Sequence, residues 1–267
     1  MSAALSALFG TPMAAAVFAM EVVSVGVMYY AALLPCVIAS IIAAEFATGV
    51  GLNPETFPVA RIPQLSVESG LKMAVIAAGC GLLSILFCVA LKAVSGIYGK
   101  YLKNPYLRVC VAGCLVIGIT MLLGTGDYMG AGNELIARAV EQGKARPLDF
   151  LWKMILTAIT MRAGYRGGEI VPAFSVGATF GCVAGGLLGF SPEVAAAASM
   201  VALFCGVTNC PIASMLISFE LFGFSGAAYY LIAISISYAL SGYYSLYKDQ
   251  TIVYSKYKAR YINKKTH

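Results

Sequence analysis

A glycine-rich stretch near the middle of the chain carries the residues with the clearest chemical potential. Residues 162–181 read Arg-Ala-Gly-Tyr-Arg-Gly-Gly-Glu-Ile-Val-Pro-Ala-Phe-Ser-Val-Gly-Ala-Thr-Phe-Gly. The first three glycines of this stretch interrupt any helix that precedes them, and Pro172 suits the first turn of a new helix. We therefore predict a helix that begins near Glu169.

The start of such a helix inside a membrane could bind an anion. Its first amide N–H groups have no partner within the helix, and a glycine before them lets an ion approach the backbone closely. The positive end of the helix dipole adds to the attraction. The alternative is that the glycines serve helix packing only, as do those that follow at a spacing of about four: Gly177, Gly181, Gly185 and Gly186.

Two glutamates inside apolar segments are also functional candidates, because ionisable groups are rare there. When the segment from Pro12 is aligned with the segment from Pro211, Glu21 falls on Glu220. An internal repeat of this kind indicates two related halves about a pseudo-two-fold axis, with an ion site at their interface. Because the two glutamates occupy equivalent positions, we favour a structural role for both, in capping or pairing at helix ends.

The composition places these groups in a membrane protein. The 267 residues are 60% hydrophobic and 11% charged, with a mean hydropathy of +0.83, whereas soluble domains carry roughly 25% charged residues. Six uncharged runs are long enough to span a bilayer: Val22–Ala44, Met73–Leu91, Val109–Gly126, Ile170–Pro192, Val194–Phe219 and Leu221–Tyr247. We predict a multi-pass membrane domain over residues 1–250.

The net charge of +6 does not indicate nucleic-acid binding, because the excess follows the last apolar run. Residues 251–267 form a basic tail that the positive-inside rule places in the cytoplasm. Eight cysteines without a CxxC pair suit packing in a reducing compartment. The single histidine is His267, so histidine catalysis and histidine metal ligation are excluded, and we predict neither a metal nor a cofactor.

The glycine-rich element has a family resemblance. The segment 167–172, Gly-Gly-Glu-Ile-Val-Pro, followed by Gly177-Ala178, resembles the second-half signature of the CLC family of chloride channels and transporters. The segment from Phe9 to Glu21 resembles another element of that family, and Phe219-Glu220 resembles its counterpart. The glycines of residues 124–132 are similar to the stretch that precedes the signature. The resemblance implies an all-α polytopic membrane protein, an inverted-repeat helical bundle with broken helices.

The resemblance also implies which groups bind the anion. The expected ligands are backbone amides of the signature element and a tyrosine hydroxyl near the C-terminus, which we place at Tyr254; a phenol donates without adding negative charge. An interfacial aromatic beside the basic tail is the alternative for Tyr254, and it is the role we expect of Tyr244, Tyr247, Tyr257 and Tyr261. The implied partners are chloride or another halide, the lipid bilayer and a second copy of the chain in a homodimer. The expected backbone ligands are Gly168, Glu169, Ile170 and Val171.

The sequence departs from the family pattern in three ways, which limits what can be expected of the anion site and of its gating. Its first-half elements have no match here, so we expect them upstream of Met1, with a remnant of the first repeat over about 1–52 and the second repeat over about 71–250. Val22 stands where proton-coupled exchangers carry a second glutamate on their proton path. Glu169 and Ile170 replace the apolar residue and the phenylalanine that are usual in the anion element. A carboxylate beside an anion is unfavourable unless it is protonated, turned away or paired, for example with Arg162 or Arg166.

We therefore predict transport of small inorganic anions, chloride first, by a protein that is not an enzyme. The fluoride-exporting branch of the family is an alternative, since it also tends to lack the second glutamate. An inactive fragment and a cation-coupled secondary transporter are further alternatives; the latter would use Glu21, Glu220, Asp127 or Glu169. A membrane-embedded enzyme would need a nucleophile with a base, or a metal cluster, and the sequence offers neither.

Overall fold

The computed structural model describes residues 1–52, 57–59, 62–258 and 260–266, which form eleven α-helices and three short strands. Part of the connection between the two predicted repeats, and His267, lie outside the described residues. Two 3₁₀ turns, Tyr30–Ala32 and Phe224–Gly226, precede α3 and α11. The helices are α1 (Ser2–Phe9), α2 (Pro12–Glu21), α3 (Leu33–Gly49), α4 (Val67–Tyr101), α5 (Pro105–Leu123), α6 (Asn133–Glu141), α7 (Asp149–Ala163), α8 (Ile170–Leu187), α9 (Pro192–Thr208), α10 (Pro211–Phe222) and α11 (Ala227–Leu240).

Four of the described helices are long and apolar enough to cross a bilayer, by length and composition, when the 3₁₀ turn before α3 is counted with it. They are Tyr30–Gly49, Val67–Tyr101, Pro105–Leu123 and Ile170–Leu187. The remaining apolar helices have 10–17 residues: Pro12–Glu21, Pro192–Thr208, Pro211–Phe222 and Phe224–Leu240. This mixture of spanning and short helices confirms the predicted polytopic fold with broken helices.

Three of the six predicted runs are not single helices. The run Val194–Phe219 breaks at Asn209, whose left-handed backbone (φ 60°) ends α9 two residues before α10. The run Leu221–Tyr247 breaks at Gly223 (φ 78°), and Val22–Ala44 holds a strand and a 3₁₀ turn before α3. Hydropathy measures only how apolar a segment is, so it does not reveal where the helix breaks. Such breaks are tolerated at membrane depth where the non-helical backbone is surrounded by protein.

The close packing of α8 on α9 depends on glycine. Three of the four glycines of the predicted small-residue face lie against α9 or its start: Gly177, Gly181 and Gly185. A Cβ added at Gly181 would overlap the Ala195 carbonyl oxygen and the Ser199 side chain. The prediction is wrong for Gly186, where an added Cβ would meet nothing within 4 Å. The face therefore has one open position.

The predicted repeat appears as a reciprocal contact between α2 and α10. The Glu21 carboxylate accepts hydrogen bonds of 3.1 and 2.8 Å from the amides of Ile212 and Ala213, at the start of α10. The Glu220 carboxylate accepts bonds of 3.0 and 2.9 Å from two first-turn amides of α2, those of Met13 and the alanine after it. The two helices are therefore antiparallel, and each carries near its end the acceptor that caps the other's start.

The chain after α11 folds back onto the first segment. Strand β1 (Ser24–Val25) pairs in parallel with β2 (Thr251–Tyr254), which pairs antiparallel with β3 (Tyr261–Lys265). Before β2, the buried Gln250 amide donates to the carbonyls of Val22 at 2.8 Å and Thr208 at 2.7 Å. This side chain therefore joins the end of α2 to the end of α9, and the basic tail contains strands.

Glycine 181 gives a test of the α8–α9 contact. Gly181→Ala should destabilise the protein by about 1–3 kcal/mol, because the added methyl group has to displace backbone and side chain of α9. Gly186→Ala adds the same group to the same helix in open space, and should leave the stability unchanged or slightly raised. Thermal unfolding in detergent compares the two variants. Equal melting temperatures would contradict the packing described here.

The reciprocal caps give a second test. Glu21→Met keeps the length of the side chain but removes both acceptors, which leaves two amides of α10 unpaired and should cost about 1–3 kcal/mol of unfolding free energy. Glu220→Met should act similarly on α2. Glu45→Met, at an exposed position of α3, is the matched control. If all three variants unfold at one temperature, the carboxylates are not holding the helices together.

Candidate functional site

The start of α8 is positioned by the segment that ends α7. Gly164 adopts a left-handed conformation (φ 113°) after Ala163 and stops α7. The first helical residue of α8 is Ile170, with Glu169 before it, as the sequence predicts. No side chain among the described residues caps this helix. Its first-turn amides are therefore available to a ligand, which distinguishes α8 from the glutamate-capped α2 and α10.

A cavity of about 580 Å³ lies beside this helix start. Two of the four predicted backbone ligands, Gly168 and Val171, line it. Lys153 of α7 also lines it, and its ammonium group donates to the carbonyls of Tyr128 at 3.1 Å and Gly130 at 2.7 Å. We did not single out Lys153 from the sequence, although a lone lysine within an apolar helix is a recognisable signal. It adds a positive charge to the walls of the cavity.

The Glu169 carboxylate forms an ion pair with Arg162, at 2.9 Å between Oε1 and a terminal guanidinium nitrogen. Both side chains are about one fifth exposed. Of the two partners considered from the sequence, Arg162 makes the contact and Arg166 lines the cavity. The pair balances the negative charge that would otherwise oppose an anion at the helix start. The Nε of Arg162 is buried and has no hydrogen-bond partner in the described part of the chain.

Tyr247 and Tyr254, which both lie near the C-terminus, have different surroundings. Tyr254 is in β2, 47% exposed, with its ring 5.9 Å from that of Tyr261 in β3. These contacts belong to the sheet and do not support its predicted role as an anion ligand, which stays a prediction. Tyr247 packs against the core and is close enough to Glu169 for an electrostatic interaction. The sequence predicts an interfacial position for Tyr247, whereas in the structure this residue packs against the core.

The position predicted to matter for a proton path is buried and apolar. Val22 follows α2 directly and packs in the core. Its carbonyl accepts the bond from Gln250, and the neighbouring Glu21 turns to the amides of α10. The valine side chain has no group that can carry a proton, so this position offers no relay. The glutamate beside it is occupied as a helix cap.

A polar cluster is centred on Asp127, in the loop between α5 and α6. Asp127 forms ion pairs with Arg138 at 3.1 Å and Arg146 at 3.6 Å, and its backbone amide binds Thr125. Burial acts to raise the pKa of Asp127, but the hydrogen bonds and the two arginine charges outweigh burial and hold the pKa below its usual value. The buried Asp149 accepts a bond of 2.6 Å from the Tyr128 hydroxyl and extends the cluster.

Three features are typical of an inverted-repeat membrane protein. Short helices begin inside the protein, the antiparallel repeat helices α2 and α10 cap each other, and the start of α8 is open to a cavity. The chain belongs to a known family of this class. The model of the voltage gated chloride channel family matches residues 1–242.

Similar proteins agree with this assignment. The chain is 33% identical over 264 residues to a protein named "Chloride/fluoride channel protein" of Pseudomonas syringae pv. tomato, with 96% of this chain and 58% of the relative covered. It is 26% identical over 233 residues to an H(+)/Cl(-) exchange transporter, ClcA, of Vibrio cholerae, with 81% and 49% covered. A crystal structure of a CLC-type fluoride/proton antiporter matches with a TM-score of 0.89 at 31% identity, covering 94% of this chain and 63% of that one.

The chain thus spans about half to two thirds of the length of these proteins. A slow cyanobacterial Cl⁻/H⁺ antiporter matches at 17% identity with a TM-score of 0.70, which bears on the fold alone. The predicted fold, a CLC-type inverted-repeat bundle that corresponds to part of the family's fold, is confirmed.

The Asp127 cluster generates a prediction on pH. The unfolded pKa of an aspartate is about 3.9, and the folded pKa is lower. The stabilisation is therefore fully present above about pH 3.9 and is lost as the pH falls through the folded value. Asp127→Asn should lower the melting temperature by about 2–4 °C at pH 7 and by less near pH 3. Asp249→Asn, at a position 97% exposed, is the control. A deficit that does not shrink on acidification would contradict the pKa assignment.

Proposed function

We propose that the chain forms the second half of a pathway for small inorganic anions, with the start of α8 as the anion site. One observation carries this proposal: the uncapped first turn of α8 opens on a cavity of about 580 Å³. The ligands are the backbone amides of Gly168, Glu169, Ile170 and Val171. Because Arg162 neutralises Glu169, the field at this helix start stays positive. Binding and release of an ion break no bond, so we propose no enzymatic activity.

Two features support fluoride rather than chloride as the anion. The sequence alone places chloride first, but Glu169 and Ile170 depart from the usual residues of the element, and the second glutamate is replaced by Val22. Of the two more similar relatives, the one at 33% identity is named for both chloride and fluoride, and the one at 31% identity is named for fluoride alone. The proposed substrate is therefore fluoride, and chloride is the alternative that the transport measurement distinguishes.

The Tyr247 hydroxyl is the proposed side-chain donor near this site. It lies on a partly buried residue within electrostatic range of Glu169, whereas Tyr254 is held in the sheet. A phenol hydroxyl donates one hydrogen bond without a compensating negative charge. We therefore propose Tyr247, and not Tyr254, as the side-chain ligand of the anion.

The charge distribution supports a cytoplasmic C-terminus. The guanidinium of Arg108, at the start of α5, binds the carbonyl of Ala163 at the end of α7 at 2.8 Å, so these two helix ends lie on one side. Lys92, Arg162 and Lys248 line one cavity, which adds the last third of α4 and the chain after α11 to that side. Basic residues concentrate there, as the positive-inside rule requires of the cytoplasmic face.

The same family membership supports a homodimer in the bilayer. Two spanning segments are largely exposed in the single chain: Tyr30–Gly49, which contains α3, and Pro105–Leu123, which is α5. Only 11% and 6% of the residues in their most apolar 18-residue stretches are buried. Lipid covers such surfaces, and a second copy of the chain would cover part of them.

The reciprocal caps weigh against a cation-coupled transporter. Such a protein needs carboxylates that face a cavity. Here Glu21 and Glu220 accept hydrogen bonds from helix amides, Glu169 is paired with Arg162, and Asp127 is paired with two arginines.

The anion site is tested by two matched glycine substitutions. Neither Gly168 nor Gly186 has an atom within 4 Å of an added Cβ, but only Gly168 lines the cavity. The chain, with any upstream segment that its gene encodes, is reconstituted in liposomes, and efflux is followed with fluoride and chloride electrodes in parallel. We expect fluoride to leave faster than chloride, and Gly168→Leu to slow its efflux at least about tenfold.

Gly186→Leu should leave efflux unchanged, and both variants should unfold at the temperature of the parent protein. Equal effects of the two substitutions on efflux would contradict the site. Faster efflux of chloride than of fluoride would be consistent with the anion site but would show that chloride, and not fluoride, is the substrate.

A further inference from the structure

Lys153 of α7 holds a loop that borders the anion cavity. The glycine loop, residues 124–132, connects α5 to α6, and four of its residues line the cavity of about 580 Å³ beside α8. The Lys153 ammonium group donates to two loop carbonyls, those of Tyr128 at 3.1 Å and Gly130 at 2.7 Å. Lys153 is 1% exposed and forms no salt bridge within the described part of the chain. Because carbonyl groups and not a carboxylate compensate this buried charge, a net positive charge remains at the cavity.

Ser175 of α8 binds the end of the same loop. Its buried hydroxyl lies 3.1 Å from the Gly132 carbonyl oxygen and 3.3 Å from that of Ala131, and it can donate to either, or to the Val171 carbonyl of its own helix at 3.2 Å. A Cβ added at Gly132 would overlap the Ser175 hydroxyl and lie 3.1 Å from the Lys153 ammonium nitrogen. The loop, α7 and α8 therefore meet within two turns of the start of α8.

We infer that Lys153 and Ser175 form a carbonyl clamp, which fixes the glycine loop so that the cavity stays positive and binds its anion tightly. A carbonyl oxygen carries a partial negative charge and repels an anion across a cavity that holds little water. The clamp offsets this charge on the loop oxygens while it holds the loop in place. Both side chains are positioning residues, since neither is among the proposed ligands. Their effect on the anion rests on the proposed anion site, whereas the contacts of the clamp do not.

The clamp is tested first by hydrogen exchange of the glycine loop. The protein is held in nanodiscs of phosphatidylcholine, and mass spectrometry follows the peptides that cover residues 124–132. Lys153→Met removes the donors, so two carbonyls lose their partner, and loop exchange should rise at least about tenfold. Lys100→Met, at an exposed position of α4, is the control and should leave loop exchange unchanged. Unchanged loop exchange in Lys153→Met would overturn the inference.

A second variant perturbs the clamp without removing its charge. Gly132→Ala places a methyl group against Ser175 and Lys153, whereas Gly124→Ala places one where no atom lies within 4 Å. Both glycines belong to the loop and have positive φ, 96° and 63°, so the pair separates the clamp contact from backbone strain. We expect loop exchange to rise about fivefold in Gly132→Ala and by less than about twofold in Gly124→Ala. Equal exchange in the two variants would contradict the clamp, and this comparison decides the question also where Lys153→Met fails to fold.

Fluoride titration then tests what the clamp does for the anion. In ¹⁵N-labelled protein, the shifts of the amide signals of residues 168–171 give the fluoride concentration at half-saturation. We expect this concentration to be about tenfold higher in Lys153→Met and about threefold higher in Gly132→Ala, with no change in Gly124→Ala or Lys100→Met. A purely structural role would lower the amount of folded protein and leave the half-saturation concentration unchanged.

The two measurements together decide the inference. An unchanged half-saturation concentration in both clamp variants would overturn it, even if loop exchange rises. A tenfold weaker binding with unchanged loop exchange would also overturn it, because Lys153 would then act through its charge alone. If the parent protein itself shows no saturable fluoride shift, the proposed anion site fails. Because hydrogen exchange needs no anion, it still supports or rejects the clamp in that case.

Discussion

Amide groups at the start of a helix that begins inside a membrane protein have no water to bind, and this constraint shapes the molecule. Three such starts matter here. Glu21 and Glu220 supply acceptors to α10 and α2, and thereby join the two halves of the repeat. At α8 no side chain of the described residues does so, and the first turn opens on a cavity. One physical requirement thus gives both a structural contact and a place for an anion.

The charge around α8 follows from the same requirement. An acidic residue at the first turn would ordinarily serve as the acceptor for the free amides. Glu169 instead forms an ion pair with Arg162, which leaves the amides without an acceptor and balances the carboxylate. Lys153 binds the carbonyls of Tyr128 and Gly130 and places another positive charge at the wall of the cavity. The site combines backbone donors with basic groups that are held by their own contacts.

The sequence predicts those features that depend on local chemistry. The glycines and Pro172 locate the start of α8, and the equivalence of Glu21 and Glu220 reveals the repeat, because each depends on residue type and spacing. The break at Asn209 is not visible in hydropathy, since both flanking helices are strongly apolar. The choice of Arg162 over Arg166, the proximity of Tyr247 to Glu169, and the strands of the tail depend on contacts between distant segments.

The central claim is that the free amides at the start of α8 bind the anion, and amide NMR shifts measure this directly. In ¹⁵N-labelled protein reconstituted in lipid, titration with fluoride should shift the amide signals of Gly168, Glu169, Ile170 and Val171 along one saturable curve. The first-turn amides of α10, which Glu21 caps, should stay in place. Signals at α8 that do not move, or that move no more than those of α10, would contradict the account.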